Sequence, residues 1–335
     1  MKIISVVGAR PNFIKIAPFV RAIEEHNADL ADEGAKIKHV LVHTGQHYDD
    51  KMSRDFFTSL NIPEADINLG IGSGSHAEQV GKTMIEFEKI VKSHQPDWVV
   101  VVGDVNATCA CSITAKKEHI KVAHIEAGLR SFDMEMPEEI NRLVTDRLSD
   151  LLLTPCSISS DNLRNEGVAE DRIKFVGNIM IDTLEANREK AGALDMKTVL
   201  EQNLYDTEEG GKLEHMIASS SGYGLMTMHR PSNVDRESIL RLIIEFLKEE
   251  VVHRTPLIWP MHPRTEKQLT KFGLWDEVKK MKGLLLLQPL GYHELLKLNM
   301  SAKLVLTDSG GIQEECCVLG TPCLTMRWNT ERPIT

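Results

Sequence analysis

The stretch LVLTDSGGIQEECCVLGTPCL, residues 304–324, decides the fold of this chain. An apolar run ends at Thr307, a turn follows over residues 308–311, and helix-forming residues begin at once. This order predicts a strand, a tight glycine turn and a helix whose first backbone N–H groups lack intrahelical partners. Such a helix end attracts an anion. Glu314 and Glu315 lie in the same helix and no Walker lysine follows the glycines, so the ligand must combine a phosphate with groups that suit a carboxylate.

Short apolar runs alternate with amphipathic helical stretches along the rest of the chain. Runs rich in Val, Ile and Leu occur at residues 2–7, 37–44, 97–104, 121–128, 150–154 and 173–177, and again at 223–229, 256–262, 284–289, 303–307 and 321–326. Continuous apolar runs of this kind are typical of parallel strands that are buried on both faces. The alternation therefore predicts an α/β fold with doubly wound parallel sheets.

A polar segment over residues 185–221 divides this alternation into two halves. A chain of 335 residues is long enough for two domains, each with a full core. We predict one Rossmann-like domain over residues 1–178 and a second over residues 179–335, with a linker region at about 178–222 and a central cleft between the domains.

Composition excludes several classes of protein. The formal net charge of −10 argues against a general nucleic-acid binder, so an anionic ligand must meet a local basic pocket. The six cysteines show no CxxC spacing and are expected to be reduced, which predicts a cytoplasmic location. The N-terminal apolar run is too short for a signal peptide, and no stretch approaches membrane-spanning length.

Polar clusters follow the predicted strands at their carboxyl ends, where open parallel sheets bind ligands. The clusters lie at residues 8–11, 45–47, 103–104, 126–128, 228–230, 262–263 and 308–311. A single cluster would mean little. Because both halves of the chain supply such ends, we expect a large site that both domains share.

The acidic and basic residues of these clusters also have simpler interpretations. Asp104 could cap the helix that follows it. Glu138 and Glu139 follow Pro137 and fit the first turn of a helix. Arg142 lies four residues after Glu138 and could form only an i,i+4 pair with it. These alternatives remain open at the level of the residues alone.

The remaining clusters are equally ambiguous when each is taken by itself. The segment 8–11 lacks the GxGxxG dinucleotide fingerprint and could be a turn with a solvated arginine. His229 could be an ordinary exposed histidine, and His262 could belong to a turn at a strand end. The cysteines beside Glu315 are more typical of a packed core than of chemistry.

Taken together, a set of motifs runs in order from residue 8 to residue 333: GARPNFIK, VVGD, HIEAGLRS, PEEINR, MHRPSN, LTDSGGIQEE and TERP. This set resembles that of the non-hydrolysing UDP-N-acetylglucosamine (UDP-GlcNAc) 2-epimerases, and the resemblance covers nearly the whole chain. It implies the glycosyltransferase-B architecture, with two Rossmann-like domains around a deep cleft, and a homodimer.

The resemblance also suggests an answer for the glycine turn, because it implies that the ligand is UDP. The pyrophosphate would lie on Ser309, Gly310 and Gly311, and Glu315 would accept hydrogen bonds from the ribose hydroxyls. A carboxylate suits that role because it accepts two hydroxyl donors at once. Glu314 would then point elsewhere, as solvated surface or packing.

The implied reaction is the reversible conversion of UDP-GlcNAc to UDP-N-acetylmannosamine (UDP-ManNAc), which supplies precursors for surface polysaccharide or glycoconjugate. The C2 proton leaves, the C1–O bond breaks, and UDP then adds back to bound 2-acetamidoglucal, without a cofactor or a metal. The catalytic residues implied are Asp104, Glu126, Glu138 and His229, with the choice of base among the carboxylates left open. The implied basic contacts to UDP-sugar are Arg10, Lys15, Arg142, Arg230 and Arg332.

The resemblance extends to a second substrate site, through which UDP-GlcNAc activates bacterial members of the family. Gln46, His47 and His262 match that site. Three alternatives for the whole protein remain: a glycosyltransferase-B type UDP-sugar transferase, a hydrolysing epimerase, and a catalytically silent nucleotide-sugar sensor. The sensor is disfavoured because the acid/base residues are present.

Overall fold

The computed structural model of the chain describes residues 1–8, 10–32, 34–45, 64–206, 209–212, 222–328 and 330–332. The chain divides into two compact units, which we call unit 1 and unit 2. Unit 1 comprises residues 1–183 together with 330–332, and unit 2 comprises residues 184–328. This division differs from the predicted one because the boundary falls inside the helix Ile179–Ala193 and because residues 330–332 group with unit 1.

Unit 1 contains a seven-stranded sheet in which every neighbouring pair of strands is parallel. Its strands are β1 Lys2–Val7, β2 Lys38–His43, β3 Ile67–Asn68, β4 Trp98–Val102, β5 Lys121–Ile125, β6 Leu151–Thr154 and β7 Ile173–Phe175. They are ordered β3-β2-β1-β4-β5-β6-β7, which is the dinucleotide-fold order with one further strand. The point at which the order reverses lies between β1 and β4.

The helices in the unit 1 part of the chain alternate with these strands, as the periodicity predicts. They are α1 Arg10–Ala28, α2 His76–His94, α3 Asn106–Lys117, α4 Pro137–Leu148, α5 Ser157–Asn165 and α6 Ile179–Ala193, the last of which continues into unit 2. A capping box starts α2, because Ser75 accepts a hydrogen bond from the Glu78 amide and the Glu78 carboxylate accepts one from the Ser75 amide. Pro137 starts α4, which confirms the predicted helix start at PEE.

Unit 2 repeats this plan with a five-stranded parallel sheet, ordered β10-β9-β8-β11-β12. Its strands are β8 Gly224–Thr227, β9 Leu257–Pro260, β10 Leu284–Leu287, β11 Leu304–Thr307 and β12 Cys323–Thr325. Its further helices are α7 Met196–Gln202, α8 Pro231–Val234, α9 Glu237–Phe246, α10 Pro263–Lys271, α11 Trp275–Lys280, α12 Tyr292–Ser301 and α13 Gly310–Leu319. The strand, turn and helix predicted for residues 304–324 are confirmed as β11, the turn and α13.

Each unit has its own apolar core, built on strands that are buried on both faces. All four residues of β10 are fully buried, as are those of β9, and residues 99–102 of β4 are buried in unit 1. Burying one leucine or valine side chain stabilises the fold by about 1.5–3 kcal/mol, so such strands are held firmly. The predicted α/β class with two doubly wound parallel sheets is confirmed. Among the described helices, none has both the length and the apolar character that crossing a bilayer requires.

Candidate active site

Glu126 follows β5 in unit 1 and lies buried between two cations. Its carboxylate forms ion pairs with Lys15 of α1 and, at 3.1 Å, with Nη2 of Arg332. Burial alone would raise the pKa of Glu126, but the charges and hydrogen bonds of Lys15 and Arg332 outweigh it and lower the pKa to about 2. Glu126 is therefore an ionised group whose partners lie far from it in sequence.

This ion cluster predicts a measurable effect on stability. Glu126→Gln should lower the free energy of unfolding at pH 7 by roughly 3 kcal/mol, because Lys15 and Arg332 lose a buried counter-charge. The folded-state pKa is lower than the ordinary value of 4.5. The stabilisation is therefore present above pH 4.5 and is lost as the pH falls towards about 2, so the difference between wild type and variant should shrink across that window.

Urea unfolding of the wild type and of Glu126→Gln at several pH values would measure this difference in the free energy of unfolding. Glu185→Gln provides the control, because Glu185 pairs with Arg188 at 3.0 Å on the surface. This substitution should lower the free energy of unfolding by less than about 1 kcal/mol. A stability difference for Glu126→Gln that stays constant between pH 7 and pH 3 would contradict the assignment of Glu126 as a buried anion.

Asp104 follows β4 and is held by Arg142 of α4. Nη1 of Arg142 lies 2.5 Å from the Asp104 carboxylate, and its Nη2 lies 2.6 Å from Glu139. The N-cap of α3 is Val105, which has no side-chain capping bond, so the interpretation of Asp104 as a helix cap is wrong. The alternative interpretation of Arg142 as an i,i+4 partner of Glu138 is also wrong, because Arg142 binds Glu139 at i,i+3 instead.

Glu138 and Glu139 are neighbours in sequence but have different environments. Glu139 is buried and accepts hydrogen bonds from the Ser131 amide and hydroxyl, both at 3.0 Å, from the Phe132 amide and from Arg142. Glu138 is half-buried and makes no hydrogen bond or ion pair within the described part of the chain. The structure thus commits Glu139 to the loop before α4 and leaves Glu138 available to a ligand.

In unit 2 the sheet order reverses between β8 and β11, and Asp308 lies there, fully buried. It accepts hydrogen bonds from the backbone amides of His229, at 3.0 and 3.1 Å, and of Arg230, at 2.8 Å, and from Nδ2 of Asn233 at 3.0 Å. Burial alone would raise the pKa of Asp308, but His229 and these amides outweigh it and lower the pKa. Sequence reasoning assigned no separate role to this residue.

His229 is oriented by this carboxylate rather than being an ordinary exposed histidine. Its Nδ1 lies 3.2 Å from Asp308 Oδ1, which favours the tautomer with the proton on Nδ1 and leaves Nε2 for a ligand. The ring of His262 lies 5.2 Å from that of His229, between ring centroids. His262 also caps α10, since its Nδ1 accepts a hydrogen bond from the Arg264 amide at 3.1 Å.

The helix α13 begins with unpaired backbone amides among the described residues, as the sequence predicts. Its N-cap residue Ser309 makes no side-chain capping bond, and the amides of Gly310 and Gly311 donate to no acceptor within the described residues. Glu315 lies one turn further along and is buried. Burial and the nearby charge of Glu314 raise the pKa of Glu315 to about 7, although the nearby polar side chains of Tyr292 and Asn299 oppose them.

Tyr292 and Asn299 are contributions of α12 to this site that sequence reasoning did not identify. Glu314 is also buried, so its interpretation as solvated surface is wrong and the alternative of packing holds. The side chain of Arg10, at the start of α1, lies outside the described residues, as do Gln46 and His47. Lys15 and Arg332 contact Glu126, and Arg230 follows His229 at the Asp308 turn.

Comparison with known proteins shows what the whole chain is similar to. A family model described as UDP-N-acetylglucosamine 2-epimerase matches residues 30–335. The UDP-N-acetylglucosamine 2-epimerase of Methanocaldococcus jannaschii is 43% identical over 336 residues, covering 100% of this chain and 86% of that protein. Its crystal structure in complex with UDP-GlcNAc and UDP has a TM-score of 0.84 at 41% identity, again covering 100% and 86%.

A relative with a different substrate in its name is similar to nearly the same extent. The UDP-2,3-diacetamido-2,3-dideoxy-D-glucuronate 2-epimerase of Pseudomonas aeruginosa is 39% identical over 333 residues, covering 99% of this chain and 84% of that protein.

Proposed function

Because the chain belongs to the UDP-N-acetylglucosamine 2-epimerase family, we propose that it catalyses the reversible conversion of UDP-GlcNAc to UDP-ManNAc. The observation that carries the proposal is the uncapped start of α13 together with buried Glu315 one turn later. Free amides suit a pyrophosphate, and a buried carboxylate suits a pair of ribose hydroxyls. We therefore assign Ser309, Gly310 and Gly311 to the pyrophosphate and Glu315 to the ribose.

We assign the acid/base chemistry to Asp104 and Glu138 of unit 1. The reaction removes the C2 proton and breaks the C1–O bond, which leaves UDP and 2-acetamidoglucal bound. UDP then adds back while a proton is delivered to the opposite face of C2, so two groups must exchange protons with that carbon. Glu138 supports this assignment because it has no competing partner in the described residues.

Glu126 has a different role in this proposal. A carboxylate with a pKa of about 2 is a poor proton donor near neutral pH, and its cations Lys15 and Arg332 are already bound to it. We assign it as the permanent anion that holds these two cations for the substrate. His229, Arg230, Arg142 and Arg10 are assigned to the negative charge of the UDP-sugar, which grows as UDP departs.

Deuterium incorporation tests the reaction directly. In D₂O, both UDP-ManNAc and recovered UDP-GlcNAc should carry deuterium at C2 at equilibrium, because the abstracted proton is exchanged before it returns. Proton NMR of the purified nucleotide sugars would measure it, without any added cofactor. Product formed without deuterium would exclude the elimination route, and stoichiometric free UDP would instead indicate hydrolysis or transfer.

Mutation of α13 tests the nucleotide assignment. At a pH well above 7, where a carboxyl with a pKa of about 7 is ionised, Glu315→Ala should weaken UDP binding by roughly 10- to 150-fold, since a hydrogen bond to a charged group contributes about 1.5–3 kcal/mol. Glu314→Ala is the matched control, one residue earlier in the same helix and equally buried, and should change the affinity little. Isothermal titration with UDP would compare them. Equal losses would mean that the wrong glutamate has been assigned to the ribose.

The similarity to the Pseudomonas enzyme makes UDP-2,3-diacetamido-2,3-dideoxy-D-glucuronate a second candidate substrate, at 39% identity against 43% for the UDP-GlcNAc enzyme. We propose UDP-GlcNAc because the more similar relative acts on it. A comparison of kcat/KM for the two nucleotide sugars would decide between them. A higher value for the diacetamido uronate would replace UDP-GlcNAc as the substrate.

We propose further that the protein forms a homodimer and works in the cytoplasm, where nucleotide sugars are made. The cysteines among the described residues are all unpaired thiols, which supports a reducing compartment. A second site for UDP-GlcNAc that includes Gln46, His47 and His262 is retained as part of the proposal. Light scattering would measure the dimer, and the dependence of rate on UDP-GlcNAc concentration would show activation as a sigmoidal curve.

A further inference from the structure

The chain that leaves β4 is held by side chains at three successive backbone carbonyls. The donors are Asn12 Nδ2 and Thr108 Oγ1 to Val102 O, both at 3.0 Å, His124 Nε2 to Gly103 O at 2.8 Å, and Asn141 Nδ2 to Asp104 O at 2.9 Å. Most backbone carbonyls at strand ends bond to other backbone or to water, so this density of side-chain donors needs a reason. The carboxylate that stands on this turn is Asp104.

His124 connects this turn to a buried charge network. It is fully buried on β5, and its Nδ1 lies 2.6 Å from Oδ1 of Asp146. Its Nε2 donates a hydrogen bond to the Gly103 carbonyl. Asp146 is buried on α4 and also accepts a hydrogen bond from the Gly128 amide at 3.0 Å and an ion pair from Arg130 at 2.7 Å. His124 and Asp146 together therefore link the turn after β4 to the loop after β5.

Both segments that His124 and Asp146 connect have unusual backbone conformations. Gly103 has φ +68° and Gly128 has φ +80°, and Glu126, in the same segment as Gly128, has φ +70° without being a glycine. A non-glycine residue in the left-handed region costs on the order of 1–2 kcal/mol, so surrounding contacts must hold it there. Gly103 N also donates to Ile125 O at 3.1 Å, which ties the two segments to each other.

We infer that His124, paired with Asp146, is a positioning residue that holds Asp104 in the geometry needed for proton transfer at C2 and keeps Glu126 in place beside Lys15 and Arg332. The inference rests on the proposed function for the identity of the reaction but not for the geometry. His124 does not touch the reacting atoms in this view. Its effect comes from the Gly103 carbonyl, and displacement of a catalytic group by about 1 Å is worth on the order of 10²-fold in rate.

Two substitutions separate the two ring nitrogens of His124. His124→Gln places an amide nitrogen near the position of Nε2 and keeps a donor for the Gly103 carbonyl. His124→Asn places one near Nδ1 and keeps the contact with Asp146 but loses Gly103. We expect His124→Asn to lower kcat by about 10²-fold with KM nearly unchanged, and His124→Gln to recover most of that loss.

Asp150→Asn is the matched control for a merely structural effect. Asp150 accepts a hydrogen bond from the Val122 amide at 2.8 Å at the other end of β5 and pairs with Lys116. It should lower stability without lowering kcat, when activity is measured well below each variant's melting temperature. Equal kcat values for His124→Asn and His124→Gln would overturn the inference.

Amide hydrogen exchange gives a readout that does not depend on the reaction. The Gly103 amide, which donates to Ile125 O at 3.1 Å, should exchange at least about 10-fold faster in His124→Asn than in His124→Gln, at matched global stability. Unchanged exchange there would overturn the positioning role even if the wild type proved to act on another substrate. Asp146→Asn gives the same exchange test from α4 if His124→Asn does not fold, and normal protection of the Gly103 amide in that variant would also refute the inference.

Discussion

Replacing Glu138 by glutamine is expected to lower kcat by about 10²–10⁴-fold while the melting temperature stays unchanged. The carboxylate is half-buried at the start of α4 and has no hydrogen bond or ion pair to any residue that the structure describes. Removing its charge therefore breaks no contact there, and the loss must come from the chemistry. Chromatographic measurement of UDP-ManNAc formation, together with a thermal melt, would test both halves of this statement.

The variant Asp104→Asn should differ from Glu138→Gln in its stability. Its kcat should fall to a similar extent, but its stability should fall as well, because buried Arg142 loses the charge that lies 2.5 Å from its Nη1. Glu135→Gln, at an exposed carboxylate just before α4, should change neither quantity. Full activity in Glu138→Gln with none in Asp104→Asn would return Glu138 to a helix-start residue that only interacts with the helix dipole.

Asp308→Ala is expected to lower the free energy of unfolding by about 3–5 kcal/mol. The substitution removes the buried acceptor of the His229 and Arg230 amides and of the Asn233 side chain. Each buried donor that is left unsatisfied costs about 1–3 kcal/mol, and His229 loses the carboxylate that orients its ring. Urea unfolding would show the loss as a lower midpoint with an unchanged slope.

Asp235→Ala serves as the control within the same unit. Asp235 pairs with Arg264 at 2.5 Å, but both side chains are substantially exposed, so its loss should be below about 1 kcal/mol. The loss of unfolding free energy for Asp308→Asn should lie between those for Asp308→Ala and Asp235→Ala, because asparagine keeps one oxygen acceptor and loses the charge. A loss below 1 kcal/mol for Asp308→Ala would show that solvent or other groups replace the carboxylate without difficulty.

Strand and helix positions were the most predictable part of this protein. The run predicted at 303–307 is β11 at Leu304–Thr307, and the run at 97–104 contains β4 at Trp98–Val102. These elements depend on apolar period and on glycine turns, which act over a few neighbouring residues. The two-residue strand β3 was not predicted, because Ile67–Asn68 has no apolar run of its own and exists only as a partner of β2.

Within the candidate site, the sequence suggested which charged residues to consider but not which residues they contact. Glu126 binds Lys15 and Arg332, which lie 111 and 206 residues away along the chain. No local pattern contains such pairs. His124 and Asp146 stand inside the quoted motif HIEAGLRS and just beyond PEEINR, so the motifs were a signal for them, but their connection through space was not.

By itself, the sequence determined the order of strands and helices, the α/β class, the helix end that suits an anion and the candidate residues of the site. Only the tertiary structure decided which carboxylate is ionised, which is committed to a loop and which is free for a ligand. The physical reason is the distance along the chain over which each kind of interaction acts. Helix and strand formation respond to neighbours within a few residues, whereas burial and ion pairing depend on groups that the fold brings together from distant parts of the chain. Glu138 and Glu139 show this most directly, because adjacent and chemically identical side chains differ only in what the fold places around them.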